Sequence, residues 1–338
     1  MSEAVSGELR DFLRRLPKAE LHIHIEGSLE PEMLFALARK HGKPLRFDSV
    51  EALRRAYDFE NLQSFLDLYY DGASVLRDAE DFYDLALAYL RRAHADGVVH
   101  AEIFFDPQTH TARGVPFAAV MEGLERAIGE ARRSLGMSAL LLMCFLRDRS
   151  EGDAMRTLEE ALPYGERITG VGLDSAELGH PPSKFARVFE HARRAGLRAV
   201  AHAGEEGPPR YIHEALDVLR AERIDHGVRC EADEDLVKRL AQEQIPLTVC
   251  PSSNVRLKVF RRMEDHNLKR LLERGLCVTV NSDDPAYFGG YVVDNFLAAA
   301  SALDLTADEI RQLARNSFEA SFLAERSKRA FIAEVDRC

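Results

Sequence analysis

The side chains with the greatest chemical reach stand near the amino terminus, in Leu21-His22-Ile23-His24-Ile25-Glu26-Gly27. Two histidines at i and i+2 alternate with apolar residues, the period of a β-strand. On a strand both imidazoles leave the backbone on one face. Neutral imidazole is a common metal ligand, so the pair is half of a metal site if other ligands converge on it. Taken alone, it is equally compatible with two strand histidines that are simply hydrogen-bonded or solvated. Three later stretches supply the other half: Ala201-His202-Ala203-Gly204-Glu205, Asp225-His226-Gly227 and Asn281-Ser282-Asp283-Asp284-Pro285. With His226 close by, His22, His24, His202 and Asp283 offer three imidazoles and a carboxylate, the donor set of one catalytic zinc ion per chain.

Such convergence requires a scaffold that collects strand ends. A leader helix over about 8–16 is followed by a first strand over 20–25 and a helix over 31–41. Two amphipathic helices follow within 61–95, carrying Phe65, Leu66, Tyr69, Phe82 and Tyr89. From there strands are expected at 98–105, 139–146, 168–173, 197–201, 223–227, 246–250 and 276–280, each followed by a helix. Near-continuous apolar strands alternating with amphipathic helices mean a parallel sheet, and eight such units suit a closed (β/α)8 TIM barrel. The expectation is an α/β chain with one domain over 1–338, a helical insertion over 28–97 after the first strand, and extra carboxyl-terminal helices. The insertion's aromatics are core, or a lid over the site. An open doubly wound sheet is the alternative, but neither G-x-G-x-x-G after the first strand nor a G-x-x-x-x-G-K-[ST] loop is present. In a barrel, catalytic groups belong at the carboxyl ends of strands, where all four stretches fall.

A formal net charge of −11 argues against nucleic-acid or membrane-surface partners. No run approaches the ~18–20 apolar residues that span a bilayer, and the start does not read as a signal peptide. Five cysteines without close spacing read as free thiols, so a cytoplasmic location is expected. A homo-oligomer is compatible with all of this. His100-Ala101-Glu102 matches the H-x-E of another zinc deaminase class, but the P-C-x-x-C that must accompany it is absent, and the pair is read as strand packing. The other histidines, including His41, His94, His110, His191, His213 and His266, are expected at the surface or at helix caps.

Together, His22-x-His24, His202-Ala203-Gly204-Glu205, Asp225-His226-Gly227, Cys250-Pro251-Ser252-Ser253-Asn254 and Asn281-Ser282-Asp283-Asp284-Pro285 resemble the motif set of the adenosine/adenine deaminases. Order and spacing agree over about 16–318. The resemblance implies hydrolytic deamination at C6 of a purine, with zinc on His22, His24, His202 and Asp283. It also implies that Glu205 protonates ring N1, and that His226 orients the attacking water and helps deprotonate it. Asp284 would bind purine N7 and the attacking oxygen. The chemistry is coherent: the aromatic C6 is a poor electrophile until N1 is protonated, and a protonated carboxylic acid near neutral pH requires a raised pKa.

Two departures from the adenosine-specific pattern bear on the substrate. Glu26 stands where those enzymes resemble this chain but carry aspartate for the ribose, and Ser175 stands where they carry glycine. A hydroxyl at Ser175, with Asp174 and Glu177 nearby, suits the N3/N9 edge of a free base, and Gly179-His180-Pro181-Pro182 is similar to the adenine deaminase branch. The expected reaction is therefore adenine to hypoxanthine and ammonia, with Asp284, Ser175, Glu26 and Asp174 as substrate contacts. Adenosine and N6-substituted adenines are the alternatives within the class. A barrel metal-hydrolase acting on esters or amides and a non-catalytic nucleobase binder remain open outside it.

Overall fold

The computed structural model describes residues 3–338. Eight parallel strands follow one another around a barrel in sequence order. They are β1 (Lys18–His24), β2 (Val98–Phe105), β3 (Ser138–Leu146), β4 (Gly170–Asp174), β5 (Arg198–Ala203), β6 (Arg223–His226), β7 (Leu247–Val249) and β8 (Val278–Val280). The barrel is closed by the residues that matter most: His24 N–H donates to Asp283 O and Asp283 N–H to His22 O, each at 3.0 Å. The seam between first and last strand thus lies between the paired histidines and the aspartate, which brings 260 residues of intervening chain back to its start.

The expected elements are present, with ends shifted by a few residues, as helix fraying and short strands allow. The leader helix begins earlier, at Glu3, and a short helix over Val50–Arg55 was not anticipated. The 61–95 region forms the helices Leu62–Ala73 and Ala79–Ala95, each opened by a capping box on Asn61 and Asp78. Those side chains accept from the backbone N–H three residues on, satisfying donors that a helix start leaves free. Helices Val292–Leu303, Ala307–Glu319 and Glu325–Val335 complete the chain.

Below the strand ends the barrel interior is packed with Phe104, Leu142, Cys144 and Val200. Toward the amino ends of the strands lies a fully buried ion pair in which Arg223 Nη1 donates to Glu102 Oε2 at 2.6 Å. Arg223 also donates to Leu21 O at 3.2 Å, and Phe322 N–H donates to Glu102. His100-x-Glu102 is therefore a structural plug, as its strand position suggested.

Candidate active site

The expected ligands meet at the carboxyl end of the barrel: His22 and His24 on β1, His202 on β5, His226 closing β6, and Asp283 and Asp284 just past β8. All are buried. His226, Asp283 and Ser175 have φ of 61°, 65° and 74°, in the left-handed region that side chains with a Cβ rarely occupy. Such conformations persist where surrounding contacts enforce them, and they turn side chains from strand ends into the barrel mouth. Gly27 is required for a different reason: a Cβ there would lie 1.8 Å from Asp284 Oδ1.

Four imidazoles crowd this space, and their hydrogen bonds divide them into two kinds. The Thr248 hydroxyl gives its single proton to Asp225 Oδ1 at 2.8 Å, so it accepts from His22 Nδ1–H at 2.9 Å. With Nδ1–H so engaged, Nε2 is the nitrogen that His22 can offer to a cation. Behind His202 Nδ1 stands the other oxygen of Asp225 at 3.6 Å, and behind His24 Nδ1 stands Asp174 Oδ2 at 3.6 Å. Each of these three rings has a carboxylate toward its Nδ1 side, the outer arrangement that metal-ligating histidines ordinarily show.

His226 is the opposite case. Leu268 N–H donates to His266 Nδ1 at 3.0 Å, so His266, neutral because burial lowers its pKa to about 3, carries its proton on Nε2. That proton goes to Asn254 Oδ1 at 3.2 Å, which orients the amide, and Asn254 Nδ2 donates to His226 Nδ1 at 3.2 Å. Burial likewise lowers His226 to about 3, so the ring is neutral with its proton on Nε2. This N–H faces Glu205 Oε2 and Asp283 Oδ2, each 3.7 Å away. His226 lies close enough to be grouped with His22, His202 and Asp283 as a cation site, but its tautomer makes it a donor.

The remaining donor set fits a single divalent ion. His22 Nε2 has no hydrogen-bond partner although Asp283 Oδ1 is 3.1 Å away. His24 Nε2 lies 3.1 Å from His202 Nε2 and 3.6 Å from Asp283 Oδ1. Ligands held at ~2.0–2.1 Å by one tetrahedral ion would be roughly 3.3 Å apart. Burial disfavours charge on His22, yet Asp283 outweighs it and raises its pKa, so the carboxylate calls for positive charge at this spot.

Glu205 is held by a residue whose role the sequence did not disclose. The Glu177 carboxylate accepts four backbone N–H groups, from Gly204 at 2.7 Å, Glu205 at 3.1 Å, Glu206 at 2.8 Å and Gly207 at 2.7 Å. It clamps the loop that carries Glu205, and a Cβ on Gly207 would approach Glu177 Oε1 to 2.6 Å. Burial, reinforced by Asp283, pushes the Glu205 carboxyl well above the usual range. Asp284 is raised for the same two reasons, and its Oδ1 has no partner.

The groups line a cavity at the barrel mouth, about 380 Å3 of atom-free space with its open mouth included. Leu62, Phe65 and Leu66 of the first insertion helix, with Leu257 and Phe288, supply its apolar walls. Asp174 and Ser175 line it as expected. Glu26 does not: its Oε1 is turned to His110 Nε2 at 2.7 Å and Asp106 N–H at 3.1 Å. Through Oε1 this glutamate reaches past the cavity wall to a histidine behind it, and Glu26 is not among the residues that line the cavity; its Oε2 has no hydrogen-bond partner. His110 and His266 are correspondingly buried, at 0% and 1% exposure, and not at the surface. Asp106, absent from the residues that the sequence motifs single out, also lines the cavity; it is the first residue beyond β2, where the strand-end rule points.

The family model for adenosine deaminase matches residues 17–338. The chain belongs to the adenosine deaminase family. Within that family it is 59% identical to the adenine deaminase of Hahella chejuensis, over 97% of this chain and 98% of the relative. The crystal structure of an adenine deaminase from Arthrobacter aurescens superposes with a TM-score of 0.94 at 52% identity, covering 95% of this chain and 98% of that one. An amidohydrolase from Burkholderia ambifaria with bound zinc superposes with a TM-score of 0.90 at 26% identity, covering all of this chain and 94% of that one. No helix among the described residues is long and apolar enough to cross a membrane.

Proposed function

We propose that this chain hydrolyses adenine to hypoxanthine and ammonia, using one zinc ion held by His22, His24, His202 and Asp283. The observation that carries the reading is the division among the imidazoles: three backed by carboxylates beside Asp283, and a fourth fixed as an Nε2–H donor. The adenine deaminase names of the relatives support the choice of base. A bound zinc ion supplies Lewis acidity that makes water nucleophilic near neutral pH.

The chain's own residues do the rest. Glu205, kept protonated by burial, delivers its proton to ring N1, which removes the aromatic penalty at C6 as water attacks there. His226 Nε2–H donates to the attacking oxygen and orients it. In this tautomer it has no free lone pair, so His226 positions the water and does not deprotonate it. Asp284, with Oδ1 unpartnered, faces the attacking oxygen and N7. The Asp283 charge that helps burial raise the Asp284 carboxyl is offset when Asp283 holds a cation, which leaves Asp284 ionised to take the proton that the water sheds. Asp284 passes that proton to the amino group, the C6–N bond breaks to release ammonia, and the remaining hydroxyl proton returns to Glu205, leaving the C6 carbonyl of hypoxanthine. The 28–97 insertion acts as the lid, since Leu62, Phe65 and Leu66 close the cavity against solvent. Purine salvage or catabolism in the cytoplasm is the setting this activity suits.

The test is loss of adenine absorbance with stoichiometric ammonia release, run beside metal analysis. We expect one metal per chain, loss of turnover on chelation and recovery with zinc. A metal-loaded protein that leaves adenine intact overturns the reading, and faster turnover of adenosine or an N6-alkyladenine replaces the substrate.

A further inference from the structure

Strand order sets β2 across the barrel from β6, and β4 across from β8. His226 and Asp284 stand at the β6 and β8 ends, where the proposed function places the reacting edge of the purine. A base held there turns its N3/N9 edge toward the ends of β2 and β4. Asp106, at the β2 end, is 2% exposed and lines the cavity. Its Oδ2 accepts from the Tyr69 hydroxyl at 3.3 Å, and no donor group reaches its Oδ1. The Asp174 carboxylate is its neighbour, and burial together with that charge raises the Asp106 carboxyl well above the usual range. Glu26 holds it from behind, accepting the Asp106 backbone N–H at 3.1 Å and anchored itself by His110 at 2.7 Å. A rigidly placed side chain thus has one oxygen with no donor beside a second carboxylate, and an N–H brought by a ligand would satisfy it and ease the crowding with Asp174. At the β4 end, the Ser175 and Tyr70 hydroxyls share one hydrogen bond at 2.7 Å, which leaves the second of their two protons free to donate.

We propose that Asp106 Oδ1 accepts the ring N9–H of a free purine base, while the Ser175–Tyr70 hydroxyl pair donates to N3. Asp106 is then a specificity-determining residue that selects the free base over any N9-substituted form. The assignment rests on the purine deaminase reading. A nucleoside or 9-alkylpurine has no proton at N9, so it leaves a buried carboxylate oxygen unpaired, and sites built to bond an N–H reject ligands that lack it far more strongly than they reject a missing methylene. The Glu26 carboxylate, expected at the substrate, acts on selectivity through Asp106.

The experiment compares adenine, 9-methyladenine and 3-deazaadenine as substrates of the zinc-loaded wild type, Asp106→Ser and Asp106→Ala, with metal content measured for each. The wild type is expected to favour adenine over 9-methyladenine by at least about 10³-fold in kcat/KM. Either substitution should lower kcat/KM for adenine by about 10–100-fold, chiefly through KM, and shrink that preference by a similar factor. The penalty for 3-deazaadenine should be the same in all three proteins, because N3 meets other residues. An unchanged adenine preference in metal-replete variants overturns the assignment. Calorimetry on the wild type with hypoxanthine and 9-methylhypoxanthine needs no variant to fold, and equal affinities there overturn it too. Absence of any purine turnover by the zinc-loaded wild type would instead defeat the deaminase reading itself.

Discussion

The two sides of the cavity are built differently. On the side of β1, β5, β6 and β8 each imidazole is oriented from behind: His22 through Thr248 to Asp225, His202 toward Asp225, His24 toward Asp174, and His226 through Asn254 to His266. On the side of β2 and β4, Asp106 and Asp174 each keep one buried oxygen without a partner, next to a hydroxyl pair. The first side is arranged so that protonation states are settled before a ligand arrives. The second has acceptors that no donor in the fold reaches, on two neighbouring carboxyls, and a hydroxyl proton to spare. The contrast teaches that reaction and recognition are separable except at Asp174, which backs His24 and also lines the cavity. Changes on the first side should move kcat or metal affinity, and changes at Asp106 and the hydroxyl pair should move KM and preference.

The largest effect expected on the first side comes from Glu205→Gln. It should retain its metal and lose roughly 10³-fold or more in kcat, within the range general acid catalysis supplies. A near wild-type rate would remove Glu205 from the chemistry. Next, Asp225→Asn disturbs the support of both His22 and His202, and zinc affinity measured by competition with a chelator should fall about 10–100-fold. Unchanged affinity would show that the carboxylate is incidental to the site. Asn254→Ala should cost about 10–100-fold in kcat with metal content intact, because His226 loses the donor that keeps its proton on Nε2. Loss of metal in that variant would instead make His226 a ligand and break the division drawn among the imidazoles.

The smallest effect on turnover is expected at the far end of the barrel. Burial alone would raise Glu102, but Arg223 outweighs it and brings its pKa down to about 2. The folded value lies below the ordinary carboxylate value, so the stabilisation is complete above the unfolded pKa and is lost as pH falls from there toward 2. A shift of this size corresponds to roughly 3 kcal/mol. Glu102→Gln should flatten that acid limb in thermal unfolding and destabilise the fold at neutral pH by about 3–5 kcal/mol, since Arg223 is left buried without its counter-charge. kcat and zinc content should stay at wild-type values, separating the plug from the site.

Legibility in the sequence follows the same divide. His22-x-His24 and Asp283-Asp284 could be read because each stands at the end of a strand, where backbone period and the strand-end rule set which rim its side chains reach. Asp106 could have been found by applying the strand-end rule to β2 as it was applied elsewhere. Glu177 could not, because four backbone N–H groups around one carboxylate depend on how the 204–207 loop curls against the β4 end. Glu26 was misplaced for a related reason: residue spacing puts it beside the site, but only the position of His110, on a helix 84 residues later, turns its carboxylate away.

By itself, then, the chain's pattern of apolar strands and amphipathic helices determined the barrel, the rim on which the chemistry lies, and the residue types delivered there. These are local properties, carried by backbone period and by strand ends. The tertiary structure decided which nitrogen of each imidazole holds the proton, which carboxylates face a ligand and which face inward, and where the barrel closes. Those outcomes depend on hydrogen bonds between residues tens to hundreds of positions apart, whose geometry exists only once the eight strands stand side by side.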